Sequence, residues 1–153
     1  MKKLWINALL SALFISISLF VYAERREKEV KIEDLPQNIQ EFISTHFAEE
    51  MISSARIVKY GYHKVVLSNG DEVLFDRKGR WLEVDNETEN ALPTSTISLL
   101  PLSAQEYIQQ KYPNRLMHSI ERNQEGYEIK ITGDRPMKIR FDTKGNFINE
   151  EID

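Results

Sequence analysis

Two stretches of the chain carry apolar residues at helical spacing. In the first the stripe is Ile39, Phe42, Ile43 and Phe47; in the second it is Ala104, Tyr107, Ile108 and Tyr112. Asp34 stands where an N-cap belongs, and Pro36 suits a first helical turn, where its missing N–H is no loss. Pro113 closes the second helix and Asn114 follows as a turn residue. The first copy has Phe47-Ala48 in place of Tyr112-Pro113, so its helix is expected to run on toward Met51. After each helix the period changes to two. The first set of strands is expected near Arg56–Tyr60, Tyr62–Ser68, Asp71–Asp76 and Trp81–Asp85. The second is expected near Ser119–Asn123, Tyr127–Thr132, Met137–Asp142 and Phe147–Glu151.

Turn chemistry separates these strands. Asn69-Gly70 is a two-residue hairpin signal, because both positions favour positive φ. Asp76-Arg77-Lys78-Gly79 and Asp142-Thr143-Lys144-Gly145 fit longer hairpins, each with a glycine at the left-handed position. Gly133-Asp134 supplies a further turn. Pro136 has no counterpart in the first set and marks a strand that starts late or lies at an edge. Ile129, Ile131, Ile139 and Phe141 share a parity, as do Val73 and Phe75, and their neighbours Glu128, Lys130, Lys138 and Arg140 are polar. A sheet with one apolar and one polar face is covered by helices on one side only.

The similarity goes beyond pattern. Leu35-Pro36 returns as Leu100-Pro101, and Phe75-Asp76-x-x-Gly79 returns as Phe141-Asp142-x-x-Gly145. The expected fold class is α+β, a tandem duplication of α-β-β-β-β units forming antiparallel sheet with helices packed on one face. The divisions are a targeting segment at 1–23, a charged segment at 24–33, a first repeat at 34–85, a linker at 86–98 and a second repeat at 99–153. The linker length permits one continuous sheet or two separate units.

Lys2 and Lys3 precede an apolar run from Leu4 to Phe20, and Val21-Tyr22-Ala23 has the small-residue form of a cleavage site. The run reads as a signal peptide, with the mature chain starting at Glu24. The competing reading is a retained membrane anchor, since the run approaches the length of a spanning helix. Loss of residues 1–23 leaves 18 basic against 24 acidic side chains, a net charge of −6. That balance argues against nucleic acid and anionic membrane as partners. The chain has no cysteine. Export without disulfides fits a bacterial periplasm or cell surface.

These features resemble the PepSY-like family of exported bacterial proteins, which share a fold with β-lactamase-inhibitor-protein-like modules. The residues carrying the resemblance are Leu35, Pro36, Tyr62, Phe75, Asp76, Gly79 and Trp81, then Leu100, Pro101, Tyr112, Pro113, Tyr127, Phe141, Asp142, Gly145 and Phe147. The resemblance covers nearly all of the mature chain. It implies a non-catalytic, extracytoplasmic binding or inhibitory module, without implying that a β-lactamase is its target.

Candidate chemistry is sparse. Asp76 and Asp142 invite a paired-carboxylate reading, but the glycine three residues after each marks a hairpin cap. His46, His63 and His118 lack metal-ligand spacing, and no nucleophile elbow or phosphate loop occurs. No catalytic residue, cofactor or metal site is expected. The partner-binding candidates are Trp81 and Phe147, which strict alternation places beside Glu83 and Asn149 on the open face, joined by Glu83 itself, Tyr60 and Leu74. Large aromatics among charges are typical interface anchors. The expected partner is a protein or peptide of the cell envelope. The alternative is a small ligand or metal ion held by Glu72, Glu83 and Asp85.

Overall fold

The computed structural model describes residues 27–86 and 91–153. The proposed signal peptide, residues 24–26 of the charged segment and residues 87–90 of the linker lie outside the described residues. Among the described residues, nine strands form one antiparallel sheet in chain order: β1 (Lys28–Glu29), β2 (Ile52–Ile57), β3 (His63–Leu67), β4 (Asp71–Phe75), β5 (Trp81–Asn86), β6 (Met117–Arg122), β7 (Gly126–Ile131), β8 (Met137–Asp142) and β9 (Phe147–Ile152). Helix α1 (Gln37–His46) precedes β2 and helix α2 (Leu102–Lys111) precedes β6. A helix followed by four strands therefore occurs twice, and β5 pairs with β6 to make the sheet continuous. Among the described residues, no helix is long and apolar enough to cross a membrane.

One row of directly opposed residues shows how the core is built. Ala55, Val65, Val73, Val84, Ile120, Ile129 and Ile139 follow each other across seven strands, all buried. Ile39 and Ile43 of α1 and Ala104 and Ile108 of α2 close over the same core. Among the described residues, the opposite face has no such cover.

Each helix is fastened to the hairpin that ends its own unit. Asp76 Oδ1 accepts the backbone N–H groups of Lys78 (2.8 Å) and Arg80 (3.0 Å), and Asp142 Oδ1 accepts those of Lys144 (2.8 Å) and Asn146 (2.9 Å). Both carboxylates therefore cap turns. The turns' outer carbonyls face the helix starts. Asn38 Nδ2 donates to Lys78 O (2.9 Å), and Ser103 Oγ donates to Lys144 O (2.8 Å). Gln40 and Gln105 donate back to Leu35 O (2.8 Å) and Leu100 O (2.7 Å), satisfying carbonyls just before each helix.

Several boundaries differ from expectation. Asp34 is no cap: it sits in a 3-10 turn (Ile32–Asp34), and α1 starts at Gln37 with Pro36 at the capping position. Helix α1 does not run on toward Met51. It stops at His46, because Phe47 turns to φ −132°, ψ 47° and buries its ring, as Tyr112 turns to φ −130°, ψ 48° after α2. Proline is thus not needed to stop this helix. The first long strand starts earlier than expected, at Ile52, and ends at Ile57. Tyr60 lies beyond it in a loop at φ 64°. Pro136 immediately precedes β8, which is an interior strand between β7 and β9.

Candidate functional site: the uncovered face of the sheet

Strict alternation misplaces Trp81 and Phe147. Leu74 pairs with Glu83 and Phe75 with Trp81, so Leu82 is skipped. Arg140 pairs with Asn149 and Phe141 with Phe147, so Ile148 is skipped. An extra residue in one strand reverses the facing of everything beyond it. Trp81 therefore turns to the helix side, 6.4 Å from the Phe42 ring, 6.3 Å from Tyr127 and under the Arg122 guanidinium at 4.6 Å. Phe147 turns the same way and stacks on Tyr107 at 4.7 Å. Neither reaches the open face. The doublets Trp81-Leu82 and Phe147-Ile148 are the local signal of this, since two apolar residues in succession break a period of two.

Leu74 and Glu83 do stand on the open face. There, Arg56, Lys64, Leu74, Glu83, Glu121, Glu128, Arg140 and Asn149 oppose one another in successive strands. The next row is Ser54, Val66, Glu72, Asp85, Ser119, Lys130, Lys138 and Glu151. Tyr60 is at the far end of the first half, its ring 5.9 Å from Tyr62 and its carbonyl accepting from Arg77. Glu72, Glu83 and Asp85 are brought together with Lys64 and Leu74 around a recess of about 140 Å³.

Charge is compensated unevenly across this face. Glu72 pairs with Lys64. Glu128 pairs with Arg140 (2.8 Å) and Lys138 (3.7 Å), Glu151 with Arg140 (2.9 Å), and Asp153 with Lys138 (3.3 Å). At the seam between β5 and β6 the pattern stops. Glu83 and Glu121 face each other directly, with Asp85 one row away, and among the described residues none of the three makes a side-chain hydrogen bond or ion pair. Burial, reinforced by Glu121 and Asp85, pushes the Glu83 carboxyl above its ordinary value, against weaker pulls from Lys64 and Lys130.

Beside the pair lies an open groove of about 560 Å³, lined in part by Tyr62, Leu74, Leu82, Glu83 and Glu121. Its two arginines are engaged. Arg80 holds Asp76 at 2.7 Å, and Arg122 donates to Trp81 O at 2.6 Å while covering the Trp81 ring. Glu121 and Leu82 were not among the expected site residues. Glu121 earns its place only through the β5–β6 pairing, which has no local signal. Among the described residues, no group of three or more His, Cys, Asp or Glu side chains is arranged to hold a metal ion.

Residues 14–63 and 59–149 match the family model described as "Putative beta-lactamase-inhibitor-like, PepSY-like". The chain belongs to this family, and the two matches fit two copies in tandem. Among solved structures, it is similar to a "putative periplasmic protein" of Bacteroides vulgatus at 31% identity and a TM-score of 0.71, over 83% of this chain and 98% of the other. It is also similar to a "putative calcium-regulated periplasmic protein" of Bacteroides thetaiotaomicron (31% identity, TM-score 0.70, 82% and 96% covered). A second Bacteroides vulgatus "putative periplasmic protein of unknown function" aligns at 25% identity, with a TM-score of 0.70 and 82% and 98% covered. No curated protein matches the chain.

Proposed function

We propose that this chain is an exported, non-catalytic binding module of the bacterial cell envelope, built of two tandem PepSY-like units, that engages a protein or peptide through the uncovered face of its sheet. The observation that carries the reading is the asymmetry of the two faces. One is closed by α1 and α2; the other presents a groove of about 560 Å³ along the seam, with Leu74, Leu82 and Tyr62 among its walls. Half-buried apolar side chains set among polar ones suit a protein contact. The family match and the periplasmic descriptions of its structural neighbours support the location. Inhibition is one form such binding takes.

The test is a photo-crosslinking side chain at Leu82 in the producing cell, with the same side chain at Gln109 on the exposed side of α2 as control. A discrete protein adduct from Leu82 and none from Gln109 is the expected result. Equal adducts from both positions, or none from Leu82, would remove the uncovered face as the binding surface.

The calcium-regulated description of the Bacteroides thetaiotaomicron neighbour favours a second reading, a divalent cation held near Glu72, Glu83 and Asp85. Calcium should then raise the melting temperature of the protein by mass action and lose that effect in Glu83→Gln. A melting temperature unmoved by millimolar calcium would dismiss it.

A further inference from the structure

Resting on the uncovered face as the binding surface, we propose that the segment it takes is basic: an extended stretch of a partner protein that sets a Lys or Arg between Glu83 and Glu121, with apolar residues against Leu74 and Leu82. The argument is charge complementarity. Like charges directly opposite in an antiparallel pair are unfavourable. Elsewhere on this face, acids at Glu72, Glu128, Glu151 and Asp153 each have a base from a neighbouring strand. The sheet therefore has the means to neutralise its carboxylates and does so on either side of the seam. At the seam Glu83, Asp85 and Glu121 form no ion pair among the described residues, Glu83 feeling only the weaker pulls of Lys64 and Lys130, and Glu83 and Glu121 line the groove. The two arginines that line the groove, Arg80 and Arg122, are turned to Asp76 and to Trp81. A cation arriving from a partner supplies the missing charge.

The raised Glu83 carboxyl agrees with this geometry, since it marks a charge the fold alone does not stabilise. Acidic and neutral segments gain nothing there, and an acidic one meets repulsion. Complementarity of this kind sets both the choice of partner and the rate of encounter.

The experiment uses the purified protein and two synthetic peptides with the same length and apolar residues. One carries Lys and Arg at its polar positions, the other Glu and Asp. Binding is followed by fluorescence anisotropy, and location by backbone amide NMR shifts. The basic peptide should bind at least about tenfold tighter than the acidic one and shift the Glu83 and Glu121 amides. The Glu83→Gln/Glu121→Gln double variant should lose about tenfold of that affinity, and added salt should weaken it. A Glu128→Gln/Glu151→Gln control should bind as the parent does.

If the seam amides shift but the double variant binds undiminished, or both peptides bind alike, the basic-segment inference falls while the uncovered face stands. If neither peptide moves the seam amides, both fall. If calcium moves the same amides and displaces the basic peptide, the cation is the occupant and the peptide inference is overturned.

Discussion

The two halves of the sheet use one local plan in two different settings. Asp76 and Asp142 cap matching turns, Asn38 and Ser103 dock matching helices onto them, and a bulge follows in the same place in β5 and β9. The settings differ because β5 lies in the middle of the sheet and β9 at its edge. Val84 in β5 is fully buried in the core row. In β9 the same row ends in Glu150, which accepts from Lys111 Nζ (2.8 Å), Tyr112 OH (2.7 Å) and Tyr107 OH (3.3 Å). An inward-pointing charge is one of the devices by which an edge strand resists further pairing. Lys111, with Tyr112, holds the Glu150 carboxyl below its ordinary value. Strand position, rather than the turn and helix that precede it, decides which side chain this site tolerates.

Exchanging the two residues should give the largest effect. Val84→Glu buries a carboxylate among Val73 and Ile120, with no cation in the row, and is expected to cost about 3–5 kcal/mol or to prevent folding. Glu150→Val removes partly exposed contacts and should change stability by no more than about 1 kcal/mol. Its expected phenotype is self-association, read by light scattering, because the edge loses its charge. Equal losses of stability in both variants, measured by urea denaturation, would break the comparison.

Glycines at matching positions sharpen it next. Gly61 and Gly126 each precede a tyrosine, Tyr62 just before β3 and Tyr127 at the second position of β7, at φ 74° and φ 147°. A Cβ on Gly126 would collide with the Phe141 carbonyl and the Asp142 backbone, which are fixed by the β7–β8 ladder. A Cβ on Gly61 would meet only the Arg77 side chain, at 3.3 Å, which can move. Gly126→Ala is therefore expected to cost about 3 kcal/mol and Gly61→Ala about 1 kcal/mol, seen as unequal shifts of the denaturation midpoint.

What could be read from the sequence follows the range of the interaction that sets it. The helix stripes, the hairpin turns and the capping roles of Asp76 and Asp142 depend on residues within a few positions of one another. The continuity of the sheet does not. It depends on Val84 meeting Ile120 across the linker, and the linker's length alone allowed either arrangement. The same gap hid the site: Glu83 was legible as an open-face residue, but its facing partner Glu121 was not. The bulges misdirected Trp81 and Phe147, because parity counts residues and a bulge adds one.

The aromatics carry the third comparison. Trp81 lies between Phe42, Tyr127 and Arg122, whereas Phe147 is 41% exposed and stacked on Tyr107. Trp81→Ala should cost about 2–3 kcal/mol and Phe147→Ala about 1 kcal/mol. Both losses should appear as stability, with no direct effect on ligands of the uncovered face once the variants are folded. A loss of peptide binding in a well-folded Trp81→Ala protein would return that residue to the interface.

The smallest effect separates the seam from the turns by pH. Burial, with Glu121 and Asp85, raises the Glu83 carboxyl above its ordinary 4.5, so the fold favours its protonated form. The stability tied to that proton is complete below pH 4.5 and is lost as pH rises through the raised folded value. Asp76 has the opposite sign. Burial opposes its ionisation, but the Arg80 N–H and guanidinium and the Lys78 N–H overcome this and hold it below its ordinary 3.8. Its stabilisation is complete above pH 3.8 and is lost as pH falls through the lowered value. Glu83→Gln should therefore exceed the parent in stability at pH 7 by about half a kcal/mol, the size of one cross-strand like-charge contact. The advantage should shrink toward zero below pH 4.5, where the parent's Glu83 is itself neutral. Asp76→Asn should instead fall below the parent at pH 7 and converge with it only in stronger acid. Parallel stability–pH curves for parent and Glu83→Gln would mean that the seam carboxylates are already compensated, and the case for a basic partner would lose its physical ground.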